Sequence, residues 1–165
     1  MKWNTPLLDS FLKEVARLHP LQSALAGSLD RKVLSPFTFT DGTHVPAQNY
    51  IRVPQQALML DPKYDPNPAE FDGFRFVQVR DNLAPESYTR LSHPSYIFPF
   101  WGSVAHACPG RFYATMMVKM MVAHVLMNYD MKLVDEKASP TFSWGTNVVP
   151  NPWMRILIKP KKRVV

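Results

Sequence analysis

The sequence predicts an α+β fold, in which helices combine with short antiparallel strands. Sixteen prolines in 165 residues divide the chain into turns and short segments, which argues against an all-helical bundle. Two apolar stretches nevertheless follow helical spacing, and between them alternating residues flank an Asp-Gly turn. With 46% hydrophobic residues the chain can fill one modest core, so we expect one domain over residues 1–165.

The first predicted helix follows Thr5 and ends at Pro20. Threonine is a favoured N-cap residue, and Pro6 suits the first helical position. The apolar residues at helical spacing are Leu7, Leu8, Phe11, Leu12, Val15 and Leu18. Glu14 and Arg17 lie three residues apart and share a face, so by themselves they predict a surface ion pair of little energetic value.

Short antiparallel strands are predicted between residues 31 and 53. Residues 31–46 alternate around the turn dipeptide Asp41-Gly42, and residues 50–53 supply a further strand. His44 lies in the turn region, where we expect it to be solvated.

The middle of the chain predicts little regular structure. Residues 55–60 suit one or two helical turns, and the prolines of residues 61–68 impose an irregular path. Residues 81–95 are polar and without clear periodicity, so we expect a surface loop in which His93 has no metal-ligand partner.

The longest apolar stretch extends from about Pro109 to Asn128. It is apolar nearly all round, which predicts a helix wrapped by protein, with His124 as an ordinary core or surface residue. Its methionines are expected to fill the core, and they stand at positions 116, 117, 120, 121 and 127. Residues 131–134 and 154–158 then predict the two arms of a closing hairpin.

Charge and targeting signals indicate few partners. The formal net charge is +6, and part of it lies in the tail Lys159-Pro160-Lys161-Lys162-Arg163. A solvated terminus explains such a tail, so we expect no nucleic-acid binding.

The chain shows no signal peptide and no apolar run of the roughly 18 residues that span a membrane. A single cysteine forms no internal disulfide, which fits a reducing compartment or a cytosol-facing protein.

Cys108 is the candidate functional residue. It stands just before Pro109-Gly110 and the long apolar stretch, so it lies at a predicted helix N-terminus. Unpaired amides and the helix macrodipole favour the thiolate there, and the thiolate is the form that ligates metal. Without this context a lone cysteine is a small buried hydrophobe. A zinc site on His106 and Cys108 is a poor alternative because no second cysteine or histidine pair accompanies them.

The stretch from Phe98 to Arg111 resembles the haem-ligating loop of the cytochrome P450 family, Phe-x-x-Gly-x-basic-x-Cys-x-Gly. Cys108 and Gly110 match the last two positions of this pattern, and His106 takes the basic one. The run Ala-Cys-Pro-Gly-Arg-Phe-Tyr-Ala is very similar to that of filamentous-fungal members.

Two residues of this loop depart from the family pattern. Trp101 stands in place of the phenylalanine, which keeps an aromatic side chain beside the sulfur. Val104 stands in place of the central glycine, and a β-branched residue is poorly tolerated wherever a loop turns through positive φ. Gly102 matches a glycine frequent in fungal members, so we expect an altered turn.

Two further segments carry the resemblance. Residues 14–20 are similar to the family's Glu-x-x-Arg helix with its following Leu-His-Pro, and residues 71–76 resemble the downstream segment that completes the pair. The resemblance implies that Glu14, Arg17 and Arg75 form a buried triad with a structural role on the haem side of the fold. A buried triad is costly unless every member is paired.

The resemblance implies a haem b cofactor, iron protoporphyrin IX, with Cys108 as the axial iron ligand. Residues 31–53 resemble the family's small sheet, so Arg31 is expected at a haem propionate, together with His106; an exposed strand-end arginine is the alternative for Arg31. The closing hairpin is similar to one whose tip lines the family's substrate pocket, which implies Val148 and Val149 as apolar lining. Methionine as the iron ligand is not expected.

The implied activity is that of a haem-thiolate monooxygenase, which inserts one oxygen atom of O2 into a lipophilic substrate. The fungal resemblance suggests secondary metabolism, with terpenoid-like compounds as one class. Electrons come to full-length members from an NADPH-dependent flavoprotein reductase, and full-length relatives are anchored to the endoplasmic reticulum membrane, facing the cytosol.

The resemblance covers only the C-terminal portion of the family, so residues 1–165 are expected to form a single partial domain. The family's membrane anchor and its distal helix, which delivers protons to bound oxygen, have no counterpart in the sequence. We therefore expect that the chain alone is not a competent monooxygenase. The alternative function is a non-catalytic truncated remnant that binds no haem or acts only as an interaction module.

Overall fold

The computed structural model describes residues 5–20, 31–78, 89–102, 104–144 and 147–162. Its α-helices are α1 (Pro6–Leu18), α2 (Gln55–Met59), α3 (Arg75–Gln78) and α4 (Arg111–Asn128), with a 3-10 turn at Val104–His106. Its strands are β1 (Arg31–Lys32), β2 (Phe37–Thr38), β3 (His44–Val45), β4 (Tyr50–Ile51), β5 (Tyr129–Leu133), β6 (Thr141–Trp144), β7 (Asn147–Pro150) and β8 (Ile156–Pro160). The predicted α+β class is confirmed.

Helix α1 begins at Pro6, as proline at the first helical position predicts. Thr5 occupies the predicted N-cap position, but its side chain makes no capping hydrogen bond. The position of the cap is therefore confirmed, and the expected side-chain hydrogen bond is absent. The predicted apolar face is also incomplete, because Leu7 and Phe11 are exposed while Glu14 and Arg17 are buried. The helix therefore buries charged groups, which requires partners from other elements.

The strands pair into two-stranded antiparallel sheets. In the first half of the chain, β1 pairs with β4, and β2 pairs with β3 across the predicted Asp41-Gly42 turn. Gly42 has a φ of 88°, and the Thr43 amide donates a hydrogen bond of 2.9 Å to Asp41 Oδ1, which closes the turn. The predicted strand, turn and strand are confirmed.

The end of the chain forms two hairpin-like pairs instead of the single predicted one. Strand β5 pairs with β8, so that Met131 lies opposite Ile158, and β6 pairs with β7 inside the connection between them. The predicted arms are therefore correct as a pair, but the link between them holds a second hairpin.

The core lies where α1, α2 and the segments before α4 meet. Its buried apolar residues are Leu12, Ala16, Met59, Leu91 and Phe98. Leu91 and Thr89 are buried, so the predicted surface loop is wrong for the part of it that the structure describes; residues 81–88 lie outside the described residues. The loop is buried there because Leu91 packs against α1 rather than facing solvent.

Helix α4 is largely exposed, although its sequence predicts a helix wrapped by protein. Thr115 and Lys119 are its buried residues, whereas Met121 and Met127 are 62% and 76% exposed. Within the described ranges no element covers its outer side, so the prediction of core-filling methionines is also wrong for this chain. Among the described residues, no helix combines the length and apolar character needed to cross a membrane.

Candidate functional site

Glu14 lies between two arginines in a buried ion cluster. Arg17 Nε is 2.7 Å from Glu14 Oε2, and Arg17 Nη2 is 2.8 Å from Oε1, so the contact is bidentate. Arg75 Nε lies 3.1 Å from Oε1. The side chain of Glu14 is 0% exposed, those of the arginines 1% and 8%. The structure therefore brings together the three residues that the family resemblance implies.

The arginines also hold the proline-rich segment that follows α2. Arg17 Nη1 donates to the carbonyl oxygens of Met59 at 3.0 Å and Pro68 at 2.6 Å. Arg75 Nη1 donates to the carbonyl oxygen of Pro66 at 2.7 Å. An irregular segment lacks the regular carbonyl pairing of a helix or strand, so the guanidinium groups satisfy carbonyl oxygens of Met59, Pro66 and Pro68 and fix the path of the segment.

The hydrogen bonds to Glu14 determine its ionisation. Burial alone would raise the pKa of this carboxyl, but hydrogen bonds from Arg17, the Asp72 amide and Arg75 outweigh burial and lower the pKa below its usual value. Because the pKa of Glu14 is lower in the folded chain than in the unfolded one, its carboxylate stabilises the fold fully at pH values above the unfolded-state pKa. This stabilisation is lost as the pH falls through the pKa of the folded state.

Lys13 places an ammonium group inside the same part of the core. Its side chain is almost fully buried, and Nζ lies 4.6 Å from the ring centroid of Phe76 and 4.7 Å from that of Phe98. Burial lowers the pKa of Lys13 from 10.5 to about 8, against the attraction of Asp65 and Asp9, which raises it. Folding therefore favours the neutral amine.

This shift predicts that stability rises with pH above 8. Between pH 8 and 10.5 the unfolded chain keeps a proton on Lys13 that the folded chain has lost. The free energy of unfolding should therefore increase across this window, by up to about 3 kcal/mol. Urea unfolding of the wild type and Lys13→Met at several pH values tests this, because the variant should lack the increase. Equal slopes for both proteins would contradict the prediction.

The turn that precedes Cys108 depends on Gly102. Gly102 has a φ of 94°, and a Cβ there would lie 3.1 Å from the carbonyl oxygen of His106. Val104, which stands in place of the family glycine, lies instead in the 3-10 turn Val104–His106 and is not among the described positive-φ residues. The positive φ therefore falls on a glycine, and valine is accommodated two residues later.

Cys108 follows this turn and directly precedes α4. Its amide donates a hydrogen bond of 2.7 Å to the carbonyl oxygen of Trp101, and its thiol is exposed. A Cβ at Gly110, the N-cap residue of α4, would lie 3.8 Å from Cys108 Sγ, so glycine keeps the space beside the sulfur open.

Cys108 lines a cavity of about 550 Å³, within the range of ligand pockets. Most of the lining is apolar and comes from α1, α4 and the loop between them: Leu12, Val15, Ala16, Leu91, Phe100, Trp101, Ala114 and Val118. His19, Gln55 and Thr115 complete it. A soft sulfur ligand on the wall of an apolar cavity fits a flat, hydrophobic metal macrocycle such as haem.

Arg31 and His106 do not line this cavity. Both side chains are exposed, Arg31 on β1 and His106 at the end of the 3-10 turn. Val148 and Val149, on β7, are also outside the lining. The structure thus brings Cys108 to the cavity, while the propionate contacts of Arg31 and His106 and the substrate-pocket lining by Val148 and Val149 stay predictions.

Two contacts that the sequence reasoning missed connect the cavity wall to α1. Lys119 on α4 makes a buried ion pair with Asp9, and Trp101 Nε1 donates a hydrogen bond of 2.6 Å to the carbonyl oxygen of Leu91. A lysine inside an otherwise apolar helix was the available signal, because a buried ammonium requires a carboxylate partner.

A buried carboxylate between two arginines, small antiparallel sheets and a cysteine beside an apolar cavity are the arrangement expected on the cysteine side of a haem-thiolate protein. The comparisons with known proteins agree. A family model for Cytochrome P450 matches residues 2–158. The cytochrome P450 monooxygenase cle2 of Aspergillus versicolor is 36% identical over 159 residues, which are 96% of this chain and 28% of that protein.

Two other relatives extend the comparison. The cytochrome P450 monooxygenase paxQ of Penicillium paxilli is 33% identical over 95% of this chain and 30% of its own length. The structure of retinoic acid-bound cyanobacterial CYP120A1 shares the fold, with a TM-score of 0.71 and 22% identity over 94% of this chain and 33% of that one.

The chain belongs to the cytochrome P450 family, whose members are haem-thiolate proteins. The predicted family and fold are therefore confirmed. The chain spans less than a third of the length of the fungal relatives described above.

Proposed function

We propose that this chain supplies the cysteine side of a haem-thiolate monooxygenase, with Cys108 as the axial ligand of haem b. The observation that carries the proposal is the Cys108 thiol on the wall of the apolar cavity. Gly110 leaves room beside the sulfur, and Trp101 provides a flat apolar surface next to it. A thiolate-bound haem supplies the oxygen activation that inserts one atom of O2 into a substrate C–H bond.

The residues of the chain have distinct proposed roles. Apolar side chains of α1 and α4 exclude water from the cavity, which favours a hydrophobic macrocycle over solvent. The Glu14 cluster holds α1 and the proline-rich segment in place behind this wall. Arg31 and His106 remain proposed propionate contacts, which would require their exposed side chains to turn toward the cavity edge.

We also propose a class of substrate, an electron donor and a location for the assembled enzyme. The fungal origin of the relatives and their activity as monooxygenases support a lipophilic substrate of secondary metabolism, with terpenoid-like compounds as one class. We further propose an NADPH-dependent flavoprotein reductase as the electron donor and a cytosol-facing site on the endoplasmic reticulum for the assembled enzyme.

The second candidate function is a non-catalytic interaction module that binds no haem. It is favoured by the exposed apolar side chains of α4, since a surface of this kind usually marks a contact with another chain. These side chains include Phe112, Tyr113, Met116, Met120, Met121, Leu126 and Met127.

A haem titration distinguishes the two functions. The purified 165-residue protein is titrated with hemin under reducing conditions, and the reduced complex is treated with carbon monoxide. We expect saturable binding and a Soret band at the position typical of thiolate-ligated haem. A protein that stays colourless, or gives the band of a non-thiolate complex, would overturn the proposed function and favour the interaction module.

A further inference from the structure

The indole of Trp101 is anchored by a hydrogen bond. Its Nε1 donates to the carbonyl oxygen of Leu91 at 2.6 Å, and the ring packs edge to face against Phe100 with 5.0 Å between centroids. Both aromatic rings line the cavity beside Cys108. The orientation of the cavity wall therefore depends on where the Leu91 peptide lies.

The Leu91 peptide is itself held by a buried ion pair. Its amide donates a hydrogen bond of 3.3 Å to Asp9 Oδ1, and Asp9 Oδ2 accepts a hydrogen bond from the Lys119 ammonium. Asp9 is 3% exposed and Lys119 is 9% exposed. Asp9 thus links α4 to the segment that receives the indole.

The contacts continue from Trp101 to the thiol. The carbonyl oxygen of Trp101 accepts the 2.7 Å hydrogen bond from the Cys108 amide. Hydrogen bonds therefore join Lys119 to Asp9, Asp9 to the Leu91 amide, the Leu91 carbonyl to the Trp101 indole, and the Trp101 carbonyl to the Cys108 amide. We call these four bonds the Asp9 network; the covalent structure of Leu91 and of Trp101 connects successive bonds. Asp9 lies on α1, Lys119 lies on α4, and the other three residues lie in the segment before α4, so the network fixes these three parts relative to one another.

We propose that Asp9, Lys119 and Trp101 are positioning residues, which act through the Asp9 network to hold Cys108 where its sulfur can ligate a metal in the cavity. The proposal rests on the proposed function of Cys108 as the haem ligand. A buried ion pair adds little net stability compared with apolar residues of similar size, but its directional bonds permit only one arrangement of the groups it joins. We therefore expect the Asp9–Lys119 pair to affect mainly the position of Cys108 rather than the free energy of unfolding.

Trp101→Phe tests the indole contact, because it keeps an aromatic ring and removes the N–H donor together with part of the indole ring. Hydrogen exchange of the Cys108 amide, expressed as a protection factor, should fall about tenfold, the size expected when one part-buried hydrogen bond is lost. Trp153→Phe is the matched control, since Trp153 is exposed and contacts Phe142 in the distant hairpin. Unchanged protection of the Cys108 amide in Trp101→Phe would overturn the proposal.

Lys119→Met tests the other end of the network, with Lys161→Met as the control because Lys161 is on the surface, 3.9 Å from Asp130. Lys119→Met should also lower the protection of the Cys108 amide, and Lys161→Met should not. Asp9→Asn replaces Lys119→Met if that variant does not fold, and equal protection in both lysine variants would count against the network.

The absorption spectrum of the haem complex separates a positioning role from a role in stability alone, because only loss of positioning would change the fraction of thiolate-ligated haem. With hemin bound, reduced and treated with carbon monoxide, Lys119→Met should show a smaller fraction of the thiolate-type band than Lys161→Met at the same total haem. Equal fractions would overturn the positioning role. If the wild type binds no hemin, the proposed function fails, and the exchange experiment still decides whether the network holds the loop.

Discussion

Replacing Glu14 with glutamine is expected to lower the free energy of unfolding by about 3–5 kcal/mol, the cost of removing one partner from a buried ion cluster. Glu14 is fully buried, and both its oxygens accept hydrogen bonds from Arg17 and Arg75. Glutamine offers one acceptor oxygen and no charge, so two guanidinium groups would stay buried with backbone carbonyl partners but without their carboxylate. Urea unfolding followed by circular dichroism measures the loss.

The control for this experiment is Glu136→Gln. Glu136 lies exposed in the turn after β5, where a lost charge is screened by solvent, so no measurable loss is expected. Similar losses in the two variants would show that Glu14 behaves as a surface residue, as its spacing from Arg17 alone would predict.

Replacing Cys108 with alanine is expected to abolish the thiolate-type band of the reduced carbon monoxide complex. Cys108 is the only cysteine in the chain, so no other thiolate can replace it. Because its side chain is exposed, the substitution should leave the unfolding curve of the haem-free protein unchanged. Absorption spectra of the two proteins, loaded with equal hemin, measure the difference.

The pair of measurements separates ligation from folding. Loss of the band with unchanged stability identifies Cys108 as the iron ligand. A thiolate-type band that survives in Cys108→Ala would contradict the assignment, because this sequence has no second source of sulfur anion.

The sequence was sufficient wherever a local rule decides the structure. Pro6 begins α1 because proline lacks the amide that the first turn leaves unpaired, and Asp41-Gly42 closes the hairpin because glycine adopts a positive φ. The residue pattern around Cys108 was likewise enough to indicate the family, since its spacing reflects the ligand chemistry of one loop.

Burial could not be predicted in the same way. The all-round apolar surface of α4 predicts a buried helix, yet most of it is exposed, because burial depends on neighbouring elements that periodicity does not specify. The burial of the charged side of α1 also depends on distant segments. Glu14 pairs with Arg75, 61 residues away, and Asp9 pairs with Lys119, 110 residues away.

The sequence by itself therefore determined the two long helices, the first hairpin, the arms of the closing one, the family and the candidate ligand Cys108. Only the tertiary structure decided that Gly102 carries the positive φ and that Trp101 Nε1 donates a hydrogen bond to the carbonyl oxygen of Leu91. Turns and helix ends depend on the conformations of a few adjacent residues. The site depends on contacts between distant segments, whose free energy belongs to the folded arrangement rather than to any local stretch.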